Sequence, residues 1–195
     1  MIKNRLNKMN IVDKIKKYVK KECIIHKNES KDGYDFWNEH IKYVYEKAVF
    51  LAKKYNADVE IVSIGALMHD IALIKKVGER SNHHINGVKI TIDILKKYGY
   101  PQKKIEKVKS CVLHHRTSFD AVTNEEVCVA DADILSHFDN IPMIFDYAYK
   151  NYDVNLSNIR SFIKRYFEKD YNDLSDKTKT IFKKEYENIM GVLFK

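Results

Sequence analysis

Residues 63–73 read SIGALMHDIAL, with His69 and Asp70 side by side in one of the most apolar segments of the chain. The preceding residues 59–68, VEIVSIGALM, are apolar almost all round, which predicts a central buried helix with Asp58 as its cap. Burying an unpaired carboxylate costs on the order of several kcal/mol, so a carboxylate here needs a cation, hydrogen bonds or a metal. The rest of the sequence has to supply that partner.

Helical periodicity dominates on either side. In residues 36–54, apolar side chains recur at Phe36, Ile41, Val44, Tyr45, Ala48, Phe50, Leu51 and Ala52, predicting one amphipathic helix with Asp35 as its cap. The segment Asn56-Ala57-Asp58 breaks and recaps the chain before the central helix. A further helix is expected over 81–98, where Ile85, Val88, Ile92 and Leu95 share a stripe that Gly99 closes. Another follows from Pro101 to His115. The next begins near Thr123 or Asn124, with Glu126 placed for a capping box, and runs through VCVADADILSHF. The run VCVA also fits a short strand, but its length and context favour helix. An N-terminal helix over about residues 10–25 and aromatic, lysine-rich helices beyond Pro142, the last over about 175–194, complete an all-α reading. The expected organisation is a peripheral N-terminal helix in residues 1–30, a core in 31–140, and C-terminal helices in 141–195 packed on that core.

Composition narrows the function classes. The chain has 195 residues, 45% of them hydrophobic and 32% charged, with only two prolines, which suits a helical globular domain and not a disordered or fibrous chain. No run approaches the roughly 18 apolar residues of a membrane span, and the N-terminus has no signal-peptide core, so a cytoplasmic protein is expected. Cys23, Cys111 and Cys128 are isolated and odd in number, so neither a disulfide framework nor a zinc finger is expected. The net charge of +8 raises nucleic acid as a partner. Its distribution argues against that role, because arginine occurs only at Arg5, Arg80, Arg116, Arg160 and Arg165, and the lysines are interleaved with acids as on solvated faces. An anionic small molecule would be attracted instead.

The histidines supply the missing partner. Six of the eight lie between 40 and 115, on four predicted helices or helix ends: His40, His69, the pair His83 and His84, and the pair His114 and His115. His26 and His137 stand outside. Singly, each is more simply read as a surface or core residue, and neighbours in a pair point about 100° apart, so at most one of each pair faces inward. Asp131 and Asp133, in ADADIL, fit a solvated turn equally well. Helices that each contribute one or two inward ligands are how all-α proteins build metal sites.

In this order the residues resemble the HD-domain superfamily of metal-dependent phosphohydrolases. The likeness covers about residues 35–140: HIKYV at His40, ALMHDI at His69-Asp70, HHING with His83 four residues before Gly87, VLHHR at His115, and Asp133 in ADIL. The resemblance implies an HD-domain helical bundle in which His40, His69, Asp70 and Asp133 bind one divalent ion. His83 and His115 would complete a second site, with Asp70 bridging the two. Asp133 is preferred over Asp131 because the superfamily's last aspartate is commonly followed, after one residue, by leucine. Asp131 would then stand behind the ligands.

The activity implied is hydrolysis of a phosphoester or phosphoanhydride of a small metabolite, a nucleotide in first place, by metal-activated water. One or two ions are expected, of Mn, Fe, Co, Ni, Mg or Zn, since imidazole with carboxylate selects no single ion. HDIALIKK lacks both the glutamate that follows HD in some nucleotidases and the lysine of the cyclic-dinucleotide phosphodiesterases, which leaves the general acid unassigned. Lys75, Lys76 and Arg116 are candidates for contacting the substrate phosphate, and His84 or His114 for relaying a proton. Two readings stay open beside this one, a di-iron oxygenase on the same fold and a degenerate nucleotide-sensing module. Self-association as a homo-oligomer is compatible with each.

Overall fold

The computed structural model describes residues 9–151 and 155–195, all helix and connecting turns with no strand among them. Residues 1–8 of the N-terminal segment and Tyr152 of the aromatic C-terminal run lie outside the described residues. The chain forms α1 (Ile11–Glu29), a π-helical turn (Trp37–Ile41) continuing into α2 (Lys42–Lys54), α3 (Val59–Met68), a short α4 (Ile71–Ile74), a 3₁₀ turn (Arg80–Asn82), and α5 (His83–Lys97). It continues with α6 (Gln102–Leu113), α7 (Asn124–Asp139), α8 (Ile141–Asn151), α9 (Leu156–Asp173) and α10 (Asp176–Leu193).

The expected end signals operate. Asp58 caps α3 by accepting from the Glu60 and Ile61 N–H groups, and Asp35 accepts from Asn38 N–H. Thr123 and Glu126 form the reciprocal cap of α7, with Glu126 N–H donating to Thr123 Oγ1 at 3.3 Å and the threonine hydroxyl donating to Glu126 Oε1 at 2.9 Å. Asn56 at φ 53° and Gly99 at φ 69° end their helices in the left-handed region that these residue types tolerate. VCVA is helical within α7.

α3 is the axis of the domain. All of its residues from Ile61 to Met68 are buried, and it touches α1, α2, α6 and α7. Each fully buried Leu or Ile is worth about 1.5–3 kcal/mol, so this helix anchors whatever follows it. Gly65 permits the approach, since a Cβ there would lie 2.8 Å from the Cys111 Cβ of α6 and 3.2 Å from Val129 of α7.

Three expectations change. The predicted helix over 36–54 begins as a π-turn, with Lys42 N–H bonding back to Trp37 C=O. The extra residue in that turn re-aims His40, and such bulges concentrate at functional sites. α3 ends at Met68, as the expected bounds 59–68 have it, and His69 and Asp70 follow it at a helix junction. Asp70 has φ −102° and ψ 15°, in the bridge region where many active-site residues sit. The N-terminal helix is not peripheral: it runs to Glu29 and buries Ile15, Val19 and Cys23 in the common core. Finally, Phe50 and Ile85 of the expected apolar stripes are about half exposed.

Candidate metal centre

Two groups of side chains converge where α2, α3, α5, α6 and α7 meet. His40, His69 and Asp133 form one, and Asp70, His83 and His115 form the other; within each, one ligand atom per residue lies within 4.8 Å of the rest. Asp70 joins them through its two oxygens. Oδ2 is 3.5 Å from His40 Nε2 and 3.6 Å from His69 Nε2, while Oδ1 is 3.3 Å from His83 Nε2 and 3.7 Å from His115 Nε2. Asp133 Oδ1 completes the first group at 3.2 Å from His40 Nε2 and 3.7 Å from His69 Nε2.

The far side of every imidazole is tied down. Nδ1 of His69, His83 and His115 each donates to the carbonyl three residues earlier, Ala66, Arg80 and Val112, at 2.7 Å. For His40 the partner is the Ser136 hydroxyl at 3.2 Å, which spends its own proton on the Asp133 carbonyl at 2.6 Å and must therefore accept from His40. All four rings thus carry the Nδ1 proton and aim Nε2 at the centre, the arrangement that supporting hydrogen bonds impose on metal-binding histidines. The Nε2 atoms face one another at 3.1 Å for His40 and His69 and at 2.9 Å for His83 and His115. Lone pairs at that distance repel unless a proton or a cation lies among them. With two carboxylates beside them, this donor set fits divalent ions of the first transition row.

Without a metal, protons do the cation's work. Burial alone would push the His40 imidazole down, but Asp133 and Asp70 override it and raise its pKa to about 10. His69 moves the other way, to about 4, because burial outweighs the same carboxylates. Burial opposes ionisation of Asp70 and Asp133, yet the surrounding imidazoles hold both below the usual carboxylate range.

Two predictions follow from these contacts. Ser136→Ala frees the His40 ring and should weaken metal binding by about 10–100-fold, the usual cost of losing a partner behind a ligand, with the fold intact; a competition titration against a chelator measures it. Since His40 stays protonated below about pH 10 and must shed that proton to ligate, apparent affinity should rise about tenfold per pH unit across the neutral range. Acidification of a weakly buffered solution on metal addition measures the release.

The remaining candidates are placed differently. Lys75 is not brought to the centre: its ammonium donates to Glu22 Oε2 at 2.6 Å, tying α4 to α1. Lys76 is exposed in the left-handed region. Arg116 follows His115 and donates through Nη1 to Ser81 C=O at 3.1 Å. His114 donates to the buried Glu126 at 2.9 Å. Asp131, expected behind the ligands, faces the other way, because two positions along a helix is a rotation of about 200°. Fully buried, it accepts from the Ser118, Ser175 and Thr178 hydroxyls and from Ser175 N–H, fastening the start of α10 to the core.

Sequence reasoning did not find Ser136, whose role depends on the π-turn that brings His40 beside α7. It also left aside His137, which donates to Asp170 at 2.7 Å and stacks on His40 with ring centroids 6.2 Å apart. His26, likewise set aside, is structural and donates to Ile74 C=O at 2.8 Å.

Known proteins share this fold. The solved structure of Bacillus subtilis YpgQ superposes with a TM-score of 0.68 over 93% of this chain and 91% of that one, at 20% identity. YpgQ has also been solved in complex with ADP, where the TM-score is 0.65. A predicted HD superfamily hydrolase from an uncultured Thermotogales bacterium superposes with a TM-score of 0.58 over 84% of this chain and 95% of that one, at 19% identity. These likenesses concern the fold. In sequence, the chain is 34% identical over 113 residues to the tRNA (cytidine(56)-2'-O)-methyltransferase of Thermoplasma volcanium. The match takes in 52% of this chain and spans about a third of that relative's length, 32%. No helix among the described residues is long and apolar enough to cross a membrane. The model of the HD domain matches residues 38–137, more than half of the chain and the whole of the ligand set, and the protein therefore belongs to the HD-domain family.

Proposed function

We propose that the protein is a metal-dependent phosphohydrolase that cleaves a phosphoester or phosphoanhydride of a small metabolite, with a nucleotide as the favoured class. The observation that carries this reading is the placing of the Asp70 carboxylate, one oxygen toward His40 and His69 and the other toward His83 and His115. A carboxylate shared in this way suits a pair of ions. His40, His69 and Asp133 would hold one and His83 and His115 the other, with Asp70 spanning both. Divalent ions held there would neutralise phosphate oxygens and polarise a water for in-line attack.

The chain's own residues keep that arrangement stiff. The Nδ1 bonds fix the four rings, and the apolar α3 fixes the backbone from which His69 and Asp70 project, so little reorganisation is needed when charge develops on the substrate. The ADP complex of YpgQ, a protein of the same fold, supports nucleotides as the substrates to try first. Lys75 is left out of this reading because its ammonium is committed to Glu22.

The test is a panel of nucleoside mono-, di- and triphosphates against Mn, Mg, Co and Ni, reading phosphate or pyrophosphate release. Metal-dependent release from a subset of the panel is the expected outcome. A folded, metal-loaded protein that releases neither would overturn the proposal, and an iron-dependent consumption of dioxygen would replace it with an oxygenase.

A further inference from the structure

A cleft of about 540 Å³ lies beside the centre, between the His114–Asp120 segment with His84 on one wall and Lys169 and Asp173 of α9 on the other. Its volume falls in the range of small-molecule sites. Two of its lining residues, His84 and Arg116, are the chain neighbours of His83 and His115, and the His83 and His84 rings lie 5.7 Å apart.

Two features indicate what the cleft holds. Nδ1 of His84 is buried and makes no hydrogen bond among the described residues. A buried polar atom left in that state needs an explanation, of which a ligand is one. Beside it, Arg116 uses Nη1 on the Ser81 carbonyl, which ties the guanidinium to this wall. A fixed guanidinium is suited to paired oxygens of phosphate or carboxylate. Across the cleft, Lys169 neutralises Asp173. Asp120 remains as an acceptor that would serve the hydroxyls of a ligand better than its anionic oxygens.

We infer that this cleft is an oxyanion-binding subsite in which Arg116 and His84 hold an anionic group of the substrate separate from the phosphorus under attack. The inference rests on the phosphohydrolase reading in assigning the ligand to the substrate, and it selects substrates with two anionic groups over those with one. The occupant's oxygens accept from Arg116 and, once the His84 ring turns to bring its buried Nδ1–H to the cleft, from His84, which satisfies the orphaned nitrogen.

Binding of inorganic phosphate to the full chain, stripped of metal by a chelator and followed by ³¹P line broadening, tests it without any catalysis. Arg116→Gln should weaken phosphate binding by about tenfold, the scale of one charge-assisted contact, and Arg116→Lys should lose less. Lys169→Gln, at an exposed position of α9 away from the ligand-bearing segments, leaves the Asp173 carboxylate unneutralised toward the anion, should weaken binding a few-fold, and serves if Arg116 variants fold poorly. Asp70→Ala should keep phosphate binding. Phosphate binding that is indifferent to Arg116 and Lys169, or that vanishes in Asp70→Ala, would overturn the subsite. Should the nucleotide panel show no hydrolysis while phosphate binding still depends on Arg116, the activity fails and the subsite stands. Hydrolysis with Arg116-independent phosphate binding is the converse.

Discussion

Asp70→Ala is expected to reduce metal-dependent hydrolysis by about 10²–10³-fold or more, on the scale for removing one preorganised electrostatic group, while leaving the helical fold in place. The loss is large because one carboxylate serves both ligand groups, Oδ2 toward His40 and His69 and Oδ1 toward His83 and His115. The fold should survive for a specific reason. Removing one partner of a buried ion pair is costly when the other charge is stranded, but an imidazolium can release its proton and become neutral. Steady-state phosphate release, with helicity followed by circular dichroism, checks both halves. A folded variant with full activity would move the chemistry away from Asp70.

Asp131→Ala should do the opposite, destabilising the protein while sparing the centre. Its carboxylate is fully buried and accepts from Ser118 in the segment after α6 and from Ser175 and Thr178 at the start of α10. Four donors, three hydroxyls and the Ser175 N–H, lose their acceptor at about 1–3 kcal/mol each, and since the hydroxyls can re-orient and Ser175 is only part-buried the loss is roughly 3–5 kcal/mol. For a chain of this size that is a fall in Tm of about 10 °C or more. Thermal unfolding of the full chain measures it, and metal content of the folded fraction should stay at the wild-type level. An unchanged Tm would mean that the network fastens nothing. Two aspartates one residue apart in ADADIL would then be separated experimentally into a ligand and a fastening.

That pair also shows what the sequence could and could not convey. The helical organisation was legible because caps and breakers are local: Asp58, Gly99 and the Thr123–Glu126 cap each act within one turn. Both groups of histidine and aspartate could be assembled because the motifs around them, in order, resemble those of the HD-domain superfamily; the apolar stretch SIGALMHDIAL by itself said only that its carboxylate needs a partner. The side to which each aspartate of ADADIL turns depends on where α10 docks, which no local pattern encodes. Likewise, the apolar run continues past the expected end of α3 at Met68 without a local signal, so nothing in it marks the bridge-region backbone at Asp70. The π-turn at His40 was hidden because one inserted residue leaves amphipathic spacing almost unchanged. Lys75 looked available for substrate only because its distance from Glu22, 53 positions earlier, cannot be read along the chain.

The most direct test of a shared Asp70 is the metal-to-chain ratio of the purified full-length protein after saturation with Mn and removal of excess, read by elemental analysis for the wild type, His115→Ala and Asp70→Ala. Two ligand groups joined by one carboxylate predict two ions per chain in the wild type, loss of one in His115→Ala, and loss of both in Asp70→Ala. Undiminished loading of a folded Asp70→Ala protein would contradict it.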